Sequence, residues 1–128
     1  MTLPAPALSG TTWTLTSLKV GGETITPGRL LVRPSFRLSG TSVMGSTGCS
    51  PLKARVLIRG QTIRFRDIDP GSSDRCPDHA LSLRDDFTTL LGAATRSELQ
   101  GDVLTLYAPA GALVFRRMLA NPAGRPGR

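Results

Sequence analysis

Residues Lys53 to Asp67 read KARVLIRGQTIRFRD, two alternating runs joined by Gly60-Gln61. A two-residue connection with glycine first is a hairpin signal, because glycine supplies the backbone twist that a tight turn between antiparallel strands requires. Placing Arg59 opposite Thr62 fixes the register. Ile58 then faces Ile63 and Val56 faces Phe65 on one side, while Leu57 faces Arg64 and Arg55 faces Arg66 on the other. One face is core and the other is an arginine ladder.

Outward from this hairpin the chain continues in short strands. Thr12 to Lys19 (TWTLTSLK) is rich in β-branched and apolar residues and is broken by Gly21-Gly22, which predicts a strand and a tight turn. Prolines at Pro27 and Pro34 divide Ile25 to Ser39 into short extended pieces, Leu30 to Arg33 and Phe36 to Ser39. Gly40 to Ser50, dense in Gly, Ser and Thr around Val43 and Met44, suits a strand whose backbone lies close to another segment. Asp69 to Pro77 is a loop. Leu83, Phe87, Leu90 and Leu91 then recur at helical spacing, predicting a helix over Leu81 to Leu91, opened by Asp85 and Asp86 and ended by Gly92. Ser97 to Tyr107 forms a second hairpin around Gly101-Asp102 with Leu99, Leu104 and Leu106 inward, and Ala112 to Met118 is a last strand. The fold class is mostly β with one α-helix (α+β): a curled antiparallel sheet or partly open barrel, the helix packed over a mouth or face to cover sheet edges.

A chain of 128 residues fits one domain that buries roughly two-thirds of its unfolded surface. The expected division is an N-terminal segment 1–7, a domain over 8–118 and a flexible tail 119–128, whose ANPAGRPGR has almost nothing to bury. With 39% hydrophobic and 5% aromatic residues, the core rests on Leu, Val and Ile, with Trp13, Phe36, Phe65, Phe87, Tyr107 and Phe115 as large fillers. The formal charge is +7 with an isoelectric point near 11.0, and Lys19 and Lys53 are the only lysines. Such a balance attracts anionic partners without choosing one. No apolar run approaches the roughly 20 residues that span a bilayer, and the start MTLPAPALSGTTW lacks a basic and apolar leader. Localisation stays open: extracytoplasmic or at the cell envelope if a signal peptide has been removed, cytoplasmic otherwise.

Few residues carry chemistry. Cys49 and Cys76 suit a structural disulfide pinning the loop before the helix to the sheet; two buried free thiols are the second reading. A metal site at Cys49, Cys76 and His79, completed by Asp74, is the third, but it lacks the second close ligand pair of a zinc motif. The one histidine would also have to serve any Cys/His nucleophilic pair. Asp85 and Asp86 are explained by the helix dipole, and Asp67 and Asp69 by neutralising nearby arginines. No glycine-rich phosphate loop occurs. No catalytic residues and no cofactor are expected. Arg55, Arg59, Arg64 and Arg66 are the candidate anion-binding residues, since like charges facing each other across strands destabilise a hairpin unless water, counterions or an anionic partner intervene. The surfaces they would suit are a lipid headgroup layer, a cell-envelope polymer or nucleic acid, although few exposed aromatics argue against single-stranded nucleic acid.

Leu8-Ser9-Gly10 before Trp13-Thr14-Leu15, Gly45-Ser46-Thr47-Gly48-Cys49-Ser50, Cys76-Pro77, Asp86-Phe87 to Leu90-Leu91, and Gly101-Asp102-Val103-Leu104-Thr105-Leu106 together resemble the META domain family, the heat-shock HslJ-like proteins, over about Leu8 to Arg117. The family's Gly-Cys-Asn and later Cys are matched at Gly48-Cys49 and Cys76, with Ser50 in place of the Asn. The resemblance implies a curved β-sheet domain with one helix, often exported or lipid-anchored in bacteria, associated with stress tolerance or antibiotic resistance, without an established enzymatic activity and with no catalytic residues to carry over. The expectation is therefore a non-enzymatic stress-response or cell-envelope domain, monomeric, binding an unidentified ligand or protein partner through its sheet surface or barrel mouth. The alternative is a basic cytoplasmic domain that holds nucleic acid or another polyanion through the arginine-rich hairpin.

Overall fold

A computed structural model describes residues 8, 10–27, 33–72, 74 and 76–118. Its elements run β1 (Thr12–Val20), β2 (Glu23–Ile25), β3 (Ser35–Ser39), β4 (Ser42–Ser46), β5 (Pro51–Arg59), β6 (Thr62–Asp69), α1 (Asp78–Ala93), β7 (Arg96–Gln100), β8 (Val103–Ala108) and β9 (Gly111–Met118). The segments 1–7 and 119–128 lie outside the described residues, as does the extended piece expected over Leu30 to Arg33 except for Arg33.

All strand pairings are antiparallel, in the order β1-β3-β4-β5-β6-β7-β8-β9, and β9 pairs back onto β1 from Thr12↔Met118 to Val20↔Gly111. The sheet is therefore a closed eight-stranded barrel. Short β2 hangs beside β1 as a ninth strand through the Gly21-Gly22 turn. Closure rests on the two edges of β1: Thr12 to Thr14 pair with β3 on one, and Thr12 to Val20 pair with β9 on the other. The thinnest seam is β6 to β7, where Thr62↔Arg96 is the paired position and the Ile63 and Ser97 amides donate to the Thr95 and Gln61 carbonyls. The helix is inserted in the chain at that seam.

The β5–β6 register is the one that alternation dictates: Arg59↔Thr62, Ile58↔Ile63, Leu57↔Arg64, Val56↔Phe65 and Arg55↔Arg66. Of the two turn residues only Gly60 has positive φ, at 60°, the pattern of a type II′ turn. Beyond Arg55 the register shifts, because Lys53 pairs with Asp69: β6 has two residues there against one of β5. Asp67 absorbs this bulge with φ 54°.

Inside the barrel the four phenylalanines of the chain form one edge-to-face string. Phe65 on β6 meets Phe36 on β3 at 5.8 Å, Phe36 meets Phe115 on β9 at 4.8 Å, and Phe115 meets Phe87 on the helix at 6.1 Å. This string joins opposite barrel walls to α1, whose buried residues Ala80, Leu83, Phe87, Leu90 and Leu91 pack against β6, β8 and β9. Trp13 is fully buried, its indole N–H donating to the Leu8 carbonyl at 3.1 Å. Gly45 marks one close approach of two strands, where a Cβ would fall on the Ser35 carbonyl and 2.7 Å from the Phe36 Cα; Gly111 of β9 marks another, against the Lys19 carbonyl of β1.

Three expectations need correction. The helix begins at Asp78 after an N-cap at Pro77, so Asp78 takes the first-turn position and Asp85 and Asp86 lie mid-helix. It does not end at Gly92 but runs through it to Ala93, with Ala94 turning extended; apolar packing of Leu90 and Leu91 outweighs the modest glycine penalty. Tyr107 is not a core filler, because inward Leu104 and Leu106 send it to the outer face, half-buried.

Candidate functional site: the basic outer face

Strand alternation that buries Phe36, Leu38, Ala54, Val56, Ile63 and Phe65 necessarily turns their neighbours outward. On β3, β5, β6 and β7 those neighbours are Arg37, Lys53, Arg55, Arg59, Arg64, Arg66 and Arg96, all exposed. Pairing lines them up across the sheet. Arg37, Met44, Lys53 and Asp69 form one row, Ser42, Arg55 and Arg66 the next, then Leu57 and Arg64, then Arg59, Thr62 and Arg96.

Among the described residues the ion pairs are Arg84–Asp85 and Arg117–Asp102. None of the seven cations on this face belongs to one. Arg96 instead stacks over the Tyr107 ring, 4.3 Å from its centroid, and Tyr107 donates to Glu98 Oε1 at 2.9 Å. That hydrogen bond, together with burial and the Glu98 charge, holds the phenol above its ordinary pKa against the opposing pull of Arg96. Arg55 and Arg66 line a shallow cleft of ≈ 280 Å³ with Thr41, Val56, Leu57 and Asp67.

The four hairpin arginines are thus brought onto one surface, while the cysteine group lies elsewhere. Cys49 and Cys76 are joined in a disulfide with Cα atoms 5.2 Å apart, so neither sulfur is a thiolate available to a metal or a substrate. His79 is exposed in the first turn of α1 and lines a different recess, of ≈ 240 Å³, with Ser82 and Asp86; no hydrogen bond links these three. Among the described residues no cluster of three His, Cys, Asp or Glu side chains stands close enough to hold a metal.

Residue-by-residue reading missed the polar network beside the disulfide. The Ser50 hydroxyl donates to the Pro70 carbonyl, the Thr47 hydroxyl donates to the Ser50 carbonyl at 3.2 Å and stands 2.6 Å from Ser50 Oγ, and the Ser50 amide donates back to Thr47 Oγ1 at 3.2 Å. Arg84 completes the set, its Nη2 donating to the Gly71 carbonyl at 2.8 Å and its Nε to Ser50 Oγ at 3.3 Å. Ser50 therefore ties the turn that carries Cys49 to the loop at Pro70. The signal for Arg84 was its place beside Leu83 and Phe87 on the buried stripe, where a cation needs acceptors.

No helix of the described residues is long and apolar enough to cross a membrane. The class of protein is a closed eight-stranded antiparallel barrel with one packed helix and a disulfide-stapled loop. The sequence model of the META domain matches residues 6–120, and the chain belongs to the META domain family. No curated protein matches it. Among solved structures it resembles a protein from Burkholderia xenovorans determined by NMR, at 17% identity and a TM-score of 0.76 over 90% of this chain and 86% of that one. A second NMR structure is 15% identical with a TM-score of 0.68, covering 89% and 94% of the two chains. A crystal structure of a DUF4847 family protein from Bacteroides vulgatus is 14% identical with a TM-score of 0.66, covering 87% and 94%. At such identities the likeness is one of fold.

Proposed function

We propose that this chain is a non-enzymatic domain of the cell envelope or of a stress response that works by binding, with the outer face of β3 to β7 as its contact surface for an anionic partner. The observation that carries this reading is the concentration of Arg37, Lys53, Arg55, Arg59, Arg64, Arg66 and Arg96 on one exposed face, none of them in a salt bridge among the described residues. Arg55 directly opposite Arg66 is a repulsive arrangement that an anion lying between them relieves. The reading as a binder is supported by what surrounds the polar residues: the sulfurs are bonded to each other, and Ser82, His79 and Asp86 are not connected.

The test is retention on immobilised heparin, a soluble polyanion, across a salt gradient. Arg55→Ser/Arg66→Ser should keep the wild-type circular dichroism spectrum and elute at clearly lower salt. Elution at the wild-type salt concentration would remove this face from the function.

A further inference from the structure

We propose that the anionic partner is the surface of a phospholipid bilayer and that Leu57 is the side chain that enters it, an inference that rests on the reading of this face as an anion-binding surface. The register places Leu57 among four guanidiniums, along its own strand and on the β6 side. Arg55 and Arg59 stand two residues before and after it on β5, Arg64 lies directly opposite on β6, and Arg66 is its diagonal neighbour. Yet the residue among them is neither small nor polar. Leu57 is 52% exposed, and Met44, opposite Lys53 on β4, is 62% exposed. Among the described residues these are the large hydrophobics left in water, and both fall inside the basic face.

Charge alone does not account for them. A soluble polyanion rewards the guanidiniums and leaves Leu57 and Met44 hydrated, whereas apolar transfer is gained only when hydrocarbon lies behind the partner's charges. An anionic bilayer has that layering, with phosphates at the headgroups and acyl chains just beneath. Arginine suits it because the planar guanidinium bonds phosphate oxygens in a fork while the stem lies along apolar surface. The cleft between Arg55 and Arg66 opens beside Leu57, so a phosphate seated there sits next to the inserting side chain. Asp67 is the one carboxylate lining it, against two guanidiniums, and the cleft stays net positive. Nucleic acid is disfavoured by the lack of a free ring for bases to stack on: Tyr107 lies beneath Arg96.

The experiment is co-sedimentation with vesicles of phosphatidylglycerol and phosphatidylcholine, run beside vesicles of phosphatidylcholine alone and beside the heparin column. Wild type should bind the anionic vesicles only. Leu57→Ser should weaken vesicle binding about fivefold and Leu57→Ser/Met44→Ser about tenfold, with heparin elution near the wild-type position and an unchanged melting curve. Arg55→Ser/Arg66→Ser should lose about tenfold or more on vesicles and also elute early from heparin. Vesicle binding by the two leucine variants equal to wild type would overturn the insertion while leaving the anion-binding face intact. Wild type that is retained on heparin but ignores anionic vesicles would overturn the bilayer as partner. Only unchanged heparin elution of the arginine variant would remove the underlying reading as well.

Discussion

Arg84, on the helix, donates its Nε to the hydroxyl of Ser50, 3.3 Å away, and so ties α1 to the segment that carries Cys49. The same guanidinium reaches the Gly71 carbonyl, and its side chain is only 11% exposed. A near-buried cation is tolerated here because backbone and hydroxyl oxygens replace its water and the Asp85 carboxylate, 3.2 Å from Nη1, balances its charge.

Replacing Arg84 by Met keeps the length of the side chain and removes the donors. The Gly71 carbonyl and the Ser50 hydroxyl then lose a charge-assisted partner, which should cost about 2 kcal/mol. Urea denaturation checks this through the midpoint, with an unchanged slope. A midpoint equal to wild type would mean that water satisfies these oxygens and that Arg84 is ornamental.

Gly45→Ala tests the close approach of β3 and β4. The new methyl would fall on the Ser35 carbonyl and 2.7 Å from the Phe36 Cα, so β3 and β4 must part. The expected loss is about 3 kcal/mol. Gly40→Ala is the control: φ is 61° with open space around the Cβ, and backbone strain of about 1 kcal/mol is expected. A loss at Gly45 no larger than at Gly40 would show that β3 and β4 part at little cost and that crowding does not limit Gly45.

The pairing of β5 with β6 was legible residue by residue, because a two-residue turn leaves alternation no freedom: sliding the strands by one position would send Val56 and Phe65 into water. The basic face followed from that register, and the crowding at Gly45 was announced by the glycines and serines around Val43. Closure of the barrel was not legible, since β1 and β9 meet across nearly the whole chain and no local pattern specifies a partner at that distance. The helix start was hidden because Pro77 caps it without a side-chain hydrogen bond, leaving no Ser, Thr, Asp or Asn signature. β2 was missed because three residues are too few to show alternation. Arg84 was visible as a residue but not as a clamp, because its acceptors are carbonyls of a loop that only folding brings near.

Tyr107 is the only tyrosine, so phenolate absorbance reports it alone. Its pKa in the folded protein lies above the ordinary 10.0, first because it donates a hydrogen bond to Glu98, then through burial and the Glu98 charge. The folded state therefore favours the neutral phenol. Its contribution to stability is fully present below pH 10.0 and is lost as pH rises through the higher folded value. Glu98→Gln should move the titration midpoint down toward 10.0. A wild-type midpoint at or below that value would contradict the Glu98 contact.

The Cys49–Cys76 bridge closes a separation of 27 residues, which on chain-entropy grounds stabilises the fold by about 3.5 kcal/mol. Cys49→Ser/Cys76→Ser should lower the urea midpoint accordingly while the barrel core still folds. Arg84 and the bridge hold the same loop against the same turn, so their effects should not add. Without the bridge the loop frays more easily, its carbonyls reach water, and removing Arg84 should cost about 1 kcal/mol less than it does in the bridged protein. The measurement is a four-protein cycle of wild type, Arg84→Met, the cysteine pair variant and their combination. Strict additivity would mean that helix and disulfide stabilise this loop independently, and that the network from Thr47 through Ser50 to Arg84 does not form a single mechanical unit with the bridge.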